Sequence, residues 1–137
     1  MKTWLFCLAA FLFCSQINAK GPDFIFYASY GNLSDSTLTF ENSDSFALIV
    51  DPLAKGPKFV KIAELIDRWE EEFHFSIPSA ALSFVDQENV YNVVLALQKP
   101  TFENGVLTFP ATQFGKPQTG VFSKGTLYVE NSYKDAE

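Results

Sequence analysis

The sequence predicts a mainly β fold: an antiparallel β-sandwich or open barrel with one amphipathic helix at about residues 61–73. Short aromatic and β-branched segments recur along the chain, turn-forming residues separate them, and only one stretch has helical periodicity. We expect roughly eight strands from the spacing of these segments. We also expect the helix to cover one open end or one edge of the sheet.

The first 19 residues have the composition of a secretory signal peptide. Lys2 provides a short positive segment, residues 3–13 are uncharged and apolar, and Ala19 offers a small residue at the cleavage point. The apolar run of 11 residues is shorter than the roughly 20 that a membrane-spanning helix needs. We therefore expect a secreted or periplasmic protein without stable membrane insertion.

Cleavage after Ala19 would change the chemistry of the chain, because both cysteines, Cys7 and Cys14, lie within the signal. We predict that residues 20–137 form a single β-rich domain with a frayed C-terminal tail and no disulfide. Loss of Lys2 with the signal lowers the formal net charge from −6 to −7. We expect no nucleic-acid partner for such a domain, because binding of nucleic acid requires clustered cationic side chains.

The N-terminal part of this domain is predicted to contain three strands. Residues 23–30 are rich in aromatic side chains, and Gly31 with Asn32 is expected to end this first strand. Residues 37–41 alternate in polarity, as a half-buried strand does. Residues 46–50 are continuously apolar, which is typical of a buried strand.

One stretch, Lys61 to Phe73, has helical periodicity. Its apolar residues recur at offsets of 0, 3, 4, 7 and 11 and so share one face of a helix. These residues are Ile62, Leu65, Ile66, Trp69 and Phe73. The start of the helix is poorly capped, because Val60 stands where Ser, Thr, Asp or Asn is expected.

Strand patterns resume after the helix. Residues 80–86 and 90–97 are the first two of these strands, and the near-continuous apolarity of the second indicates a central position. The Asn104-Gly105 pair between two further β segments predicts a tight hairpin.

The last strand pattern extends from Val121 to Glu130 and contains a second turn signal. Lys124-Gly125 divides it into two short segments. We expect these segments to form a hairpin around that pair.

Five short segments form a recognisable series along the chain. They are Leu38-Thr39-Phe40, Leu65–Trp69, Pro78–Leu82, Val93–Pro100 and Leu107-Thr108-Phe109. The series resembles the pattern of a group of small, largely uncharacterised bacterial β-rich proteins over about residues 37–129. The resemblance implies a shared β-rich fold. It carries over no catalytic residue and no ligand.

Candidate binding residues occur first at the end of the helix. Glu70, Glu71 and Glu72 lie near a helix C-terminus, where the dipole is also negative, so a cation or a basic partner would offset their repulsion. The competing interpretation is a solvated face on which Arg68 pairs with Glu71 or Glu72.

His74, the only histidine of the chain, follows these acids. A catalytic or metal-binding role would need partners, and the mature chain offers neither a nucleophile-elbow sequence nor a second Cys or His for zinc. A histidine after a helix also interacts favourably with the dipole. We include His74 among the candidate binding residues and predict no catalytic residue, no metal and no cofactor.

The second candidate group lies in the first strand. Phe24 and Phe26 share one face of this strand, and Tyr27 lies on the opposite face. If one set is exposed, it offers a surface to a ligand or partner. The competing interpretation is a core role, because a β domain without disulfides needs large apolar side chains.

These features favour an exported, non-enzymatic β-sandwich domain that binds a protein or a small ligand in the periplasm or extracellular space. Two alternatives stay open. One is a small hydrolase that uses carboxylates or His74. The other is a structural envelope protein that self-associates weakly through a sheet edge.

Overall fold

The computed structural model describes residues 21–41, 43–51, 53, 55–74 and 77–131. Within these ranges the chain is mostly antiparallel β-sheet with two short helices, so the predicted mainly β fold is confirmed. The predicted signal peptide, both cysteines and nearly all of the predicted C-terminal tail lie outside the described residues.

Nine strands and two helices follow one another along the described chain. The strands are β1 (Asp23–Leu33), β2 (Thr37–Glu41), β3 (Phe46–Val50), β4 (Lys58–Lys61), β5 (Ser79–Asp86), β6 (Asn89–Leu97), β7 (Thr101–Glu103), β8 (Val106–Gln113) and β9 (Gly120–Glu130). The helices, α1 (Ile62–Asp67) and α2 (Trp69–Glu72), follow β4 directly.

Six of the strands close into a ring of hydrogen-bonded neighbours, in the order β1–β2–β8–β6–β5–β9 and back to β1. The ring closes because β1 is long enough to change partners. Its first residues pair with β3 and its last with β2, while β9 follows it along the other side. Beyond the ring, β3 and β4 extend from β1, and β7 pairs with β8. The predicted sandwich or open barrel is compatible with this arrangement.

The core lies inside the ring and is rich in phenylalanine. Phe26 on β1 and Phe109 on β8, two strands that both pair with β2, meet edge to face with their centroids 5.4 Å apart. At one end, Trp69 and Phe73 pack over Phe109 and Phe24. The helical segment therefore covers one end of the ring, as its apolar pattern predicts.

The helix predicted at residues 61–73 is interrupted at Arg68. The Arg68 backbone N–H is shared between the carbonyl oxygens of Glu64 and Leu65, at 3.2 Å each, so α1 ends here and α2 begins one residue later. The sequence has no proline or glycine to indicate this break.

The predicted apolar face of the helix is nevertheless correct. Ile62, Leu65, Trp69 and Phe73 are buried, and Ile66 packs against the same core. The helix start lacks a side-chain cap, as expected, but the N-cap residue is Lys61 and not Val60, because β4 extends through Lys61.

The predicted end of β1 at Gly31 is wrong, since the strand continues to Leu33. The ring of Phe122 on β9 lies directly against Gly31, and a β-carbon at this position would overlap that ring. Glycine here permits the close approach of an aromatic side chain to the backbone and does not end the strand.

The predicted hairpin at Lys124-Gly125 is also wrong, since β9 runs unbroken through it. Ser83 of β5 pairs with Thr126, whereas Val85 pairs with Ser123, so β9 carries one extra residue between these pairs. Lys124 adopts a φ of 53°. The feature is a β-bulge, which bends a strand and leaves it in the sheet.

The β3–β4 region differs from expectation in two ways. Residues 46–50 form a strand as predicted, but Phe46, on the outer face of β3, is 49% exposed. The short strand β4, which was not predicted, pairs with β3 and forms the end of the strand order.

Candidate functional site

A row of apolar side chains crosses the outer face of six neighbouring strands. Cross-strand partners share one face of a sheet, and the observed register links six apolar residues in sequence. In spatial order they are Phe59 (β4), Leu48 (β3), Ile25 (β1), Tyr128 (β9), Ala81 (β5) and Val94 (β6). We call this row the apolar stripe.

The apolar stripe continues to Phe114, just beyond β8, whose backbone N–H donates to the carbonyl oxygen of Val94 at 3.0 Å. Phe59, Phe114 and Val94 are 63%, 57% and 52% exposed. Six strands at a spacing of about 4.8 Å span ~24 Å along the sheet. Single exposed apolar residues are ordinary, whereas a contiguous row of this length is typical of an interaction surface.

The row beside the stripe differs between its two ends. Over the ring it is polar, with Thr126, Ser83 and Asn92, and the Ser83 hydroxyl donates to the Asn92 side-chain oxygen at 2.7 Å. Near β3 it is aromatic, with Tyr27 and Phe46, both about half exposed. The exposed apolar surface is therefore widest where β1, β3 and β4 meet.

An open groove of about 580 Å³ lies at this wide end. Aromatic and aliphatic side chains form most of its wall, and Asp44 and Ser45 form its polar rim. The apolar members are Tyr27, Phe46, Leu48 and Phe59. We call it the aromatic groove.

The middle of the stripe is fixed by a hydrogen bond from Tyr128. Its phenolic oxygen donates to Oδ2 of Asp23 at 2.6 Å. This bond, assisted by burial and by the negative charge of Asp23, raises the pKa of Tyr128 to about 12. The Tyr128 ring is thus held in the stripe with its polar end satisfied and its apolar edge available.

The three candidate binding residues of the first strand lie on two different faces, because side chains alternate along a strand. Phe24 and Phe26 are each 1% exposed and belong to the core, so their packing interpretation is the one that the structure bears out. Tyr27, on the other face, is 45% exposed and lines the aromatic groove.

The three glutamates of α2 point in different directions. Glu70 pairs with Lys99 of the chain segment after β6, with 3.4 Å between Oε1 and Nζ, and Glu72 pairs with Arg68 at 3.9 Å. The pKa of Glu70 is lowered first by a hydrogen bond from its own backbone N–H and then by the hydrogen bond from Lys99. Glu71 is exposed. The solvated-face interpretation with Arg68 paired to Glu72 agrees with this geometry.

His74 lies next to these acids, and its Nδ1 donates to the backbone carbonyl oxygen of Glu71 at 3.1 Å. A second open cavity of about 630 Å³ is bordered by His74, Glu70 and Lys99 over a floor that includes Trp69 and Leu97. Among the residues that the structure describes, no three His, Cys, Asp or Glu side chains are grouped as a metal site.

The sequence gives only indirect signs of the apolar stripe, because each of its residues lies on a different strand or loop. The continuous apolarity of residues 46–50 and 93–97 is the available signal. A strand in a single-layered sheet that is apolar at every position has an apolar outer face. The pattern predicts a buried strand at residues 46–50 and a central strand at residues 90–97, whereas the structure buries the inner face of each strand and leaves Phe46 and Val94 on the outer face about half exposed.

In the described part of the chain, neither helix is long and apolar enough to cross a membrane.

No protein-family model, curated protein or solved structure matches the chain. The resemblance to the group of bacterial β-rich proteins stays a prediction, and the function is inferred from the surface alone.

Proposed function

We propose that the protein is a non-catalytic binding module that holds a partner protein on the apolar stripe, in the periplasm or outside the cell. The observation that supports this proposal is the unbroken register of outward apolar residues from Phe59 to Val94. A folded domain leaves such a row uncovered at a cost in solubility, and a partner would remove it from water.

The shape of the surface favours a protein over a small ligand. Small-ligand sites are concave and enclose most of the ligand. The stripe instead extends ~24 Å across strands that lie about 4.8 Å apart, and its depressions are open, including a shallow one of about 210 Å³ between Val94 and Tyr128. An extended segment of about seven residues or one face of a helix would match this length.

The energetics require several residues of the stripe to act together. Each exposed apolar side chain contributes about 1–2 kcal/mol when a partner covers it, because part of its surface is already buried. Association itself costs about 4–15 kcal/mol. We therefore expect the whole stripe to take part, and we expect removal of two of its side chains to weaken binding at least about tenfold.

Peptides selected from a displayed library on the purified protein test this proposal. They should bind the V94S/F114S variant at least about tenfold more weakly than the unaltered protein. The matched control is V121S, because Val121 is 74% exposed on the same outer surface of β9 but lies away from the stripe. Equal affinity for all three proteins, or a selection that yields no binding peptide, would contradict the proposal.

A further inference from the structure

We propose that the partner presents an extended acidic segment, which adds a strand to the free edge of β4. This inference rests on the proposed function and names the class of partner. It is drawn from three features of β4: its unpaired backbone, its lysines and its position at the wide end of the apolar stripe.

The backbone of β4 faces outwards on one side. Among the described residues, β4 pairs with β3 alone and ends the strand order. The Ile62 N–H donates to the carbonyl oxygen of Ser45 on the β3 side at 2.9 Å. Hydrogen-bonded and non-hydrogen-bonded residue pairs alternate along an antiparallel ladder. Ile62 and Val60 therefore belong to the pairs that bond to β3, and Lys61 and Phe59 to the pairs that do not. Therefore the N–H groups of Phe59 and Lys61 point away from β3, where an added strand would accept them.

The charge of this edge is opposite to that of the chain as a whole. Lys55, Lys58 and Lys61 lie within seven residues of a chain whose net charge is −6. All three are exposed, and none forms an ion pair within the part of the chain that the structure describes. An acidic segment would find unpaired cations on both faces of β4, because Lys58 and Lys61 point to opposite faces.

The same lysines disfavour a second copy of this chain as the occupant. Antiparallel pairing of two β4 strands about a two-fold axis would bring two cationic edges together, and registers centred on either lysine would place Lys58 or Lys61 directly opposite its own counterpart. Like charges directly across a strand pair are destabilising, and lysines on edge strands are a common protection against such pairing.

The side chains of β4 define the complementary pattern. Phe59 lies on the outer face in the apolar stripe, and Val60 is 6% exposed on the inner face. In an antiparallel segment, successive residues would lie opposite Lys61, Val60, Phe59 and Lys58. The complementary sequence is therefore an acidic, an aliphatic, an aromatic and a second acidic residue. Its aromatic residue would lie beside Phe59 and extend the stripe by one strand.

A titration with blocked hexapeptides, followed by backbone amide NMR, tests the inference. The peptide TEVFET carries the complementary pattern, and TKVFKT is its charge-reversed control. We expect TEVFET to shift the amide signals of Phe59 and Lys61 and to bind at least about tenfold more tightly than TKVFKT. The variant K58E/K61E should reverse this preference, and equal binding of both peptides would overturn the inference.

Two substitutions of Phe59 separate the edge from the face. F59S removes the ring and keeps the outward N–H, whereas F59P also removes that N–H and leaves the bonds to β3 in place. We expect F59S to bind TEVFET a few-fold more weakly and F59P not to bind it detectably. If Trp69 fluorescence shows that F59P does not fold, the peptide preference of K58E/K61E tests the inference without it.

Other outcomes overturn the inference and leave the proposed function intact. Amide shifts confined to Val94 and Tyr128, with equal affinity of F59S and F59P, would place the segment on the outer face and not at the edge. A dimer in sedimentation that F59P converts to a monomer would identify a second copy as the occupant. Equal peptide affinity of V94S/F114S and the unaltered protein, in contrast, would contradict the proposed function itself.

Discussion

Tyr128 on β9 donates its phenolic hydrogen to Asp23 on β1 across 2.6 Å. The other carboxylate oxygen of Asp23 accepts the backbone N–H of Asn131 at 2.9 Å. Asp23 is 7% exposed, so its charge is largely removed from water and satisfied from the β9 side at both oxygens. The two residues therefore fix the first strand to the last at the middle of the apolar stripe.

This hydrogen bond predicts an unusually high pKa for the Tyr128 hydroxyl. Ionised Tyr128 would lose its bond to Asp23 and face a negative carboxylate, which raises its pKa from 10 to about 12. Because the folded-state pKa is raised, the stabilisation is fully present below pH 10 and is lost as the pH rises through about 12. An ultraviolet absorbance titration should show one tyrosine that ionises near pH 12.

Two variants check the assignment of that titration step. Y128F should remove it, and D23N should move it back towards the ordinary pKa of 10. If Y128F removes only a step near pH 10, the Tyr128–Asp23 bond does not exist in solution.

The turn between β5 and β6 predicts a simple route to a more stable protein. Gln87 and Glu88 form a two-residue loop with φ values of 49° and 74°, both in the left-handed region that disfavours their side chains. Asn and Gly are the residues that this turn type prefers. Q87N/E88G should therefore raise the free energy of unfolding by about 1–2 kcal/mol, as measured by urea denaturation.

The β7–β8 hairpin supplies the matched control. Asn104 and Gly105 have nearly the same φ values, 52° and 76°, with the preferred residues already in place. The opposite exchange, N104Q/G105E, should lower the free energy of unfolding by a similar amount. No change in either hairpin would show that these φ values are not kept in solution.

The contact between Gly31 and Phe122 predicts that position 31 tolerates no side chain larger than hydrogen without a loss of stability. A β-carbon at position 31 would overlap the Phe122 ring, which packs against Phe84 with centroids 4.8 Å apart and therefore has little room to move. We expect G31A to cost about 1–3 kcal/mol of stability. F122L should relieve much of this loss, so the double variant should be less destabilised than the sum of the two single variants. Additive losses would argue against the contact.

Val93 and Val94 are adjacent on β6 and predict opposite outcomes. Val93 is 5% exposed and faces the core, whereas Val94 is 52% exposed in the apolar stripe. V93A should lower the free energy of unfolding by about 1–3 kcal/mol. V94A should change it by less than about 0.5 kcal/mol, which leaves the stripe free for substitution in binding tests. Similar losses at both positions would show that the outer face of β6 is covered in solution.

The parts of the fold that the sequence predicts well depend on local chemistry. Thr37–Glu41 and Phe46–Val50 have their predicted bounds because turn-forming residues flank each short pattern. Asn104-Gly105 makes the expected tight turn, since both residues tolerate positive φ.

Two of the incorrect predictions have a common physical cause, which is contact with a distant strand. Gly31 resembles a strand end until the Phe122 ring is found against it, and Lys124-Gly125 resembles a turn until the register with β5 shows a bulge. The apolar stripe is more distant still from the linear sequence, because only the pairing of six strands brings its residues into one row.

The pairing of β1 with β9 also has a consequence for the order of folding. The ring joins residues about a hundred positions apart, as the bond between Asp23 and Asn131 illustrates. Contacts of such sequence separation form slowly, because the intervening chain must be ordered before they contribute. A polypeptide that emerges from the ribosome from its N-terminus therefore cannot close this ring until β9 has been synthesised. Until then, β1 lacks its principal neighbour, and its inward phenylalanines are accessible to chaperones.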